Sequence, residues 1–372
     1  MKVLEINKQD LIHNINVIKN LNKVPNGLKS PEIIGVVKGN AYGLDLVEFS
    51  KILIEQGIEF LAVSTVEEAL ELRENNIKCK ILMLSSTGII EDIEKLLDNN
   101  VILTVGSKEV LENVEKVAIK KNIVAKIHLK IDTGFGRYGF IYSNPIEIVE
   151  CINKAKNVQV LGTFSHFSES FSKKSKWTNI QYERFLRVIE TLQQNNIKTG
   201  ILHICNSSAF LKYPHMRLNA VRIGSAFSGR IIIPNTYGLK RIGTLKTKIA
   251  EIKKLPKKFN IGYSNTYMTK KETKVAIIPV GYQDGINMTT SNDCFRLIDH
   301  MRYIYNDVKN IIKDNKVYVK INNKRYNVIG KIGMYNMVVD LKNDENIHIG
   351  DEVFIDIKPL YIEAKIERKY IS

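Results

Sequence analysis

From residue 31 to about residue 230, short apolar runs alternate with longer stretches in which apolar residues recur every three or four positions. The runs are IIGVVK from Ile33, FLAVST from Phe60, KILMLSS from Lys80, VILTVG from Val101, VAKIHLKID from Val124, VLGTFSHF from Val160, ILHICN from Ile201 and AVRIGS from Ala220. Their length and β-branched content predict eight strands. The stretches between them, such as VEEALELRENN, IIEDIEKLLDNN, KEVLENVEKVAIKKN and NIQYERFLRVIETLQQNN, carry the spacing of amphipathic helices. Eight strands with crossover helices fit a (β/α)8 barrel of the TIM type, with its chemistry at the C-terminal strand ends. An open doubly wound sheet is the alternative.

After about residue 240 the pattern changes. LKTKIAEIKKL, KVAIIPVGY, VYVKINNKRYNVIGKI, MVVDL and DEVFIDI are short, partly alternating runs separated by turn residues. They predict a mostly-β second domain, with one helical insertion between Phe295 and Ile312. The reading is therefore an α/β chain with a barrel over 1–240 and a β domain over 241–372.

Composition narrows the class. No apolar run approaches the roughly 20 residues that span a bilayer, and the first twenty residues mix charge with apolar positions, unlike a signal peptide. Cys79, Cys151, Cys205 and Cys294 are far apart, without metal-ligand spacing. A soluble, cytoplasmic chain without a structural metal is expected. The net charge of +16 is spread along the sequence rather than clustered. It points to anionic small ligands rather than to nucleic acid.

Polar residues then stand at the strand ends. Strand one ends in Lys38; strand five runs into Lys130, Asp132 and TGFGRYG with Arg137; strand six ends at His166. Strand seven supplies His203, Asn206 and Ser207, and strand eight Arg222, Gly224 and Ser225. Alone, each has a bland reading: Lys38 a solvated charge, His128 a satisfied structural histidine, Cys205 core packing. Five strands converging on one rim favour a site. A lysine can form a Schiff base with a carbonyl cofactor, and pyridoxal phosphate would also need a phosphate cradle and a partner for its ring nitrogen. Asn206-Ser207 and Gly224-Ser225 lie where barrels often hold phosphate.

VVKGNAYG, LKIDTGFGRYGF, SHFSES, HICNSS, VRIGSAF, GYSNTY and IPVGYQDG occur in that order. In this the chain resembles the alanine racemases, over nearly its whole length. The resemblance implies a pyridoxal 5'-phosphate enzyme that supplies D-alanine for peptidoglycan and works as a head-to-tail homodimer with shared active sites. Lys38 matches the cofactor lysine and one catalytic base. Tyr263 matches a tyrosine base contributed by the partner subunit. Inverting Cα requires a proton removed from one face and returned on the other, so two groups are needed.

The same resemblance links the tyrosine through His166 to Arg222, which faces the pyridine nitrogen. It places Arg137 near the cofactor's phenolic oxygen and the substrate, and Tyr42, Asn206, Ser207, Gly224 and Ser225 around the phosphate. Lys130 stands where many members carry a carbamylated lysine. Tyr282 matches an entrance tyrosine, and Met334 a residue whose amide holds the substrate carboxylate.

Gly333–Asn336 reads GMYN where the family usually reads Cys-Met-Asp-Gln, and the tail is shorter than usual, so that spacing does not place Tyr361 on the position of the family's second gate tyrosine. In these features the chain is similar to the serine racemase domains of vancomycin-resistance clusters, without their membrane segment. Alanine is the expected substrate, with serine or broader specificity the alternative. A barrel decarboxylase would set an acid on the pyridine nitrogen, against Arg222. A non-catalytic pyridoxal-phosphate carrier would need neither GYSNTY nor a second domain.

Overall fold

The computed structural model describes residues 2–24, 29–288, 296–313 and 317–372. All eight predicted runs form strands: Glu32–Val36, Phe60–Val63, Lys80–Ser86, Ile102–Val105, Ala125–Asp132, Val158–Phe164, Ile201–His203 and Ala220–Ile223. All pair in parallel, and two pairings close the ring, Ala220–Ile223 on Glu32–Val36 and Ile102–Val105 on Ala125–Asp132. The sheet is therefore a closed barrel, not the open doubly wound alternative. Its interior is filled by Ile34, Val36, Phe60, Ala62, Leu82, Ile102 and Ala220.

The helices owe their limits to their ends as much as to their apolar stripes. Val66–Glu74, Ile90–Asp98, Lys108–Lys121 and Lys176–Gln194 terminate at the Asn pairs or single Asn seen in the sequence. Asn76, Asn100, Asn122 and Asn196 take left-handed φ of 61°, 48°, 52° and 60°. Asparagine tolerates that conformation because its amide can bond locally, and so it stops a helix as glycine does. The last barrel strand departs from the expected pattern. The chain beyond it is irregular, and Lys8–Asn22 is tied to that segment by buried Asn14, whose Nδ2 donates to the carbonyls of Phe227 (2.8 Å) and Lys240 (2.7 Å).

The chain divides into two compact units, Lys8–Ile242 and a second made of the residues up to Asn7 with Gly243–Ser372. Residues 2–7, grouped with the barrel on sequence, thus belong to the β unit. Val3–Asn7 alternates buried and half-buried positions and pairs antiparallel to Thr244–Lys248 and parallel to Glu367–Ile371. It lies in a nine-stranded sheet with Glu251–Leu255, Thr273–Ile278, Tyr318–Ile321, Lys324–Ile329, Met337–Asp340 and Glu352–Asp356. Asn322 and Asn323, both at positive φ, make the two-residue turn of one hairpin. The helical insertion is present as Leu297–Lys313; Phe295 and Cys294 lie outside the described residues.

Candidate active site

The chain leaves the first barrel strand through a left-handed turn. Gly39, Asn40, Ala41 and Tyr42 have φ of 64°, 52°, 51° and 59°. For the three non-glycine residues this costs about 1–2 kcal/mol each. The surroundings hold it: Ala41 donates its N–H to Val37 O (2.7 Å), Leu46 donates to Asn40 Oδ1 (2.6 Å), and the Glu68 carboxylate accepts from the N–H groups of Gly39 and Asn40. The turn brings Lys38 and Tyr42 to the mouth of the barrel.

A cavity of ≈ 540 Å³ opens there. Its walls include Lys38, Tyr42, Lys130, Arg137, His166, Asn206, Ser207, Arg222, Gly224 and Ser225. The structure therefore brings together every barrel residue proposed from sequence as catalytic or cofactor-binding. Four cations and, among the described lining residues, no carboxylate give it a strong preference for anions. Burial, Arg137 and Arg222 lower the Lys38 ammonium below its ordinary range, with Glu68 opposing. Burial, then Arg222 and Arg137, bring Lys130 down to about 7. Asp132 instead folds back, its carboxylate accepting the N–H groups of Gly134, Phe135, Gly136 and Arg137. It shapes the glycine-rich loop that carries Arg137.

Arg222 is buried beneath the cavity. Its Nη1 donates to His203 Nδ1 (2.6 Å), and its Nη2 donates to Ser165 O (2.7 Å), Ile204 O (3.2 Å) and His166 Nδ1 (3.2 Å). Burial pulls Arg222 down to about 10, so it stays charged near neutrality. A charged guanidinium can only donate, so both histidines accept through Nδ1 and carry hydrogen on Nε2. His203 Nε2 then donates to His128 Nδ1 at 3.0 Å, leaving the buried His128 Nε2 without a partner. Burial, with Arg222 next, drives His166 and His203 well below the usual imidazole range and His128 to about 3. His128 is thus structural, as read from sequence, but not fully satisfied. His203 sits behind Arg222 rather than on the rim.

On the opposite wall the groups donate. Ser207 Oγ accepts from the N–H groups of Gly224 (3.1 Å) and Ala226 (3.3 Å), which leaves its hydroxyl hydrogen free to donate. Asn206 Oδ1 accepts from Ala209 N–H and Ser170 Oγ, leaving its amide nitrogen for the cavity. Burial, with Glu68 second, raises Tyr42 to about 12, so its hydroxyl stays protonated. Gly224 makes room for that hydroxyl, since a Cβ there would stand 2.3 Å from Tyr42 Oη. Tyr42, Asn206, Ser207 and Ser225 form a cradle of neutral donors beside the cations, the chemistry a phosphate ester demands.

The remaining sequence candidates lie in the β unit. Tyr263 is 73% exposed, at the start of a tight turn after Gly262. Tyr282 donates its N–H to Gly333 O (3.1 Å), and Gln283 donates to Met334 O (3.1 Å). Gly281 is required for this approach, because a Cβ would lie 2.2 Å from Gly333 O. Gly262 packs on the backbone of Lys331. The loops of Tyr263 and Tyr282 therefore rest on one segment, Lys331–Met334. Tyr361 lies beside the second loop, its carbonyl packed on Gly285.

Glu68 is not among the residues singled out on sequence, although Thr65-x-x-Glu68 is a capping-box signature and marks where that carboxylate must sit.

Residues 6–230 match the family model described as alanine racemase, N-terminal domain, and residues 242–364 that of its C-terminal domain. The alanine racemase of Clostridium tetani is 34% identical over 94% of this chain and 84% of its own length. That of Methanococcus maripaludis is 32% identical over 91% of this chain and 85% of its own. The solved alanine racemase of Clostridium difficile 630 superposes with a TM-score of 0.85 at 28% identity, covering 100% of this chain and 95% of that one. Matched in order by both domain models and by relatives over more than 90% of its length, the chain belongs to the alanine racemase family.

Proposed function

We propose that the protein interconverts L- and D-alanine in the cytoplasm, with pyridoxal 5'-phosphate as cofactor and as a homodimer. The observation that carries this reading is the barrel-mouth cavity, where two lysines, two arginines and a cradle of neutral donors converge and, among the described lining residues, no carboxylate faces them. These residues fit the cofactor. Tyr42, Asn206, Ser207 and Ser225 would hold its phosphate, Lys38 its carbonyl carbon, and Arg137 its phenolic oxygen and the substrate carboxylate. When bound, the cofactor supplies an electron sink that acidifies the substrate's Cα–H.

The protein's own groups do the rest. Burial and the neighbouring Arg137 make the Lys38 ammonium easier to deprotonate than an ordinary lysine, and the free amine can take a proton from one face of Cα. Tyr263 of the neighbouring subunit would serve the other face, a role its exposure allows. Arg222, held by carbonyls and two histidines, presents a fixed positive charge that keeps its own proton, which weakens the electron sink and favours reprotonation over side reactions. Tyr282 and Met334 would border the substrate side.

The test is deuterium incorporation at Cα, followed by NMR in heavy water with L-alanine and L-serine and the cofactor-loaded protein. Exchange with matching D-alanine formation supports the reading, and faster exchange on serine would move the substrate. Tyr263→Phe is expected to retain cofactor and lose most turnover. A carrier would bind cofactor and exchange neither amino acid.

A further inference from the structure

We propose that Glu68 is a positioning residue that locks the left-handed turn carrying Lys38, cross-linking the first two strand-to-helix connections of the barrel. The proposal rests on the reading of Lys38 as the cofactor lysine, and its structural part stands without it.

Glu68 is the third residue of the helix Val66–Glu74. Its N–H donates to Thr65 Oγ1 (3.2 Å), and its Oε2 accepts from the N–H groups of Ser64 (3.0 Å) and Thr65 (3.3 Å). That alone completes a capping box. The other oxygen is aimed elsewhere. Oε1 accepts from Gly39 N–H (2.5 Å) and Asn40 N–H (3.3 Å), both in the preceding connection. One carboxylate thus serves four amides on two loops.

Those two amides need an outside acceptor. They open a turn whose internal bonding begins with Ala41 N–H on Val37 O, and the first N–H groups of any helical turn have no partner within it. Strained backbone persists only where its surroundings over-determine it. Here Glu68 holds the start of the turn, Asn40 its exit to Leu46, and the Gly224 contact its Tyr42 ring. Lys38 is the residue next to the Glu68 bond. Glu68 is also the nearby negative charge that opposes Arg137 and Arg222 at Lys38.

The variants Glu68→Gln, Glu68→Asp and Thr65→Ala separate this role from ordinary capping. Glutamine has one acceptor oxygen and sets an NH2 against the other pair of amides. Aspartate keeps the charge and can cap its own helix but is one methylene short of Gly39. Thr65→Ala weakens the cap and leaves the carboxylate. In cofactor-free protein, amide hydrogen exchange over Gly39–Gly43 is expected to rise about 10-fold or more in the Gln and Asp variants and to stay near wild type in Thr65→Ala.

In the loaded enzyme, kcat is expected to fall about 10-fold or more with KM changed less than about 2-fold, as for a misplaced reacting group. The acid limb of the kcat–pH profile should move to lower pH in Glu68→Gln and stay in Glu68→Asp. Exchange over Gly39–Gly43 no faster in the Gln and Asp variants than in Thr65→Ala overturns the proposal. Borohydride trapping of the cofactor on a residue other than Lys38, read by mass spectrometry, overturns the cofactor reading instead and leaves the exchange result to decide the role of Glu68.

Discussion

Gly224→Ala adds one methyl group where the structure has no space for it. The new Cβ would lie 2.3 Å from Tyr42 Oη and 2.7 Å from Tyr42 Cε2 and Cζ. The ring must therefore retreat to relieve the clash. It has little freedom to do so, because Tyr42 sits at φ 59° in the turn that begins at Lys38 and its ring packs on the barrel core. Overpacking of this kind costs about 1–3 kcal/mol. If the strain falls on the cofactor-competent arrangement, affinity for pyridoxal phosphate drops between about 5-fold and 150-fold, at 1.4 kcal/mol for each tenfold. Fluorescence titration of cofactor-free protein measures this, with urea unfolding in parallel. Tyr42→Phe removes the closest atom, so Gly224→Ala should cost less in a Tyr42→Phe background, by about 0.5 kcal/mol or more of coupling. A Gly224→Ala protein that binds cofactor within about 2-fold of wild type, with unchanged stability, would refute the packing argument and the assignment of this wall as the phosphate cradle.

Two further predictions concern protons. His128, His166 and His203 are buried and neutral, with values lowered in the fold, whereas in the unfolded chain they titrate near about 6.5. The unfolded state binds more protons below that pH, so stability is present above it and is lost as pH falls from about 6.5 toward 3, steepening toward about 4 kcal/mol per pH unit. Urea unfolding of cofactor-free protein from pH 7 to 4 measures the slope; a flat profile would mean that the histidines are already protonated in the fold. Lys130, near half-neutral at about pH 7 beside Arg222 and Arg137, is expected to add carbon dioxide as a carbamate with release of one proton. A carbamate resonance is expected in 13C NMR with labelled bicarbonate, absent in Lys130→Ala; its absence from the wild type removes the modification.

The barrel was legible because each strand is a continuous apolar run and the main helices end in asparagine, so periodicity and stop signals agreed. The lining of the barrel-mouth cavity was legible because Lys38, His166 and Arg222 are polar residues where a buried run should end. What escaped were features that depend on partners distant in sequence. Val3–Asn7 alternates like a strand but is succeeded at once by Lys8–Asn22, and nothing local shows that it pairs with residues near 246 and 369. The two-residue strand Phe140–Ile141 is too short to carry a period. Glu68 reads as a cap, and its second pair of bonds exists only because the barrel sets two connections side by side. His203 looked like a rim residue because its strand ends there, yet its ring turns inward to Arg222.

The placement of Val3–Asn7 has a consequence for how the protein is made. This strand is synthesised before the barrel, and its flanking partners, Thr244–Lys248 and Glu367–Ile371, come after the entire barrel. The whole of the barrel's compact unit, Lys8–Ile242, has been translated before Thr244–Lys248 begins. The β sheet must instead leave one edge of Val3–Asn7 unpaired until Thr244–Lys248 has been translated and the other until Glu367–Ile371 has. A message broken off before Glu367 would thus strip one neighbour from a strand made before the barrel, and damage to Val3–Asn7 or to Glu367–Ile371 would be felt as the same defect.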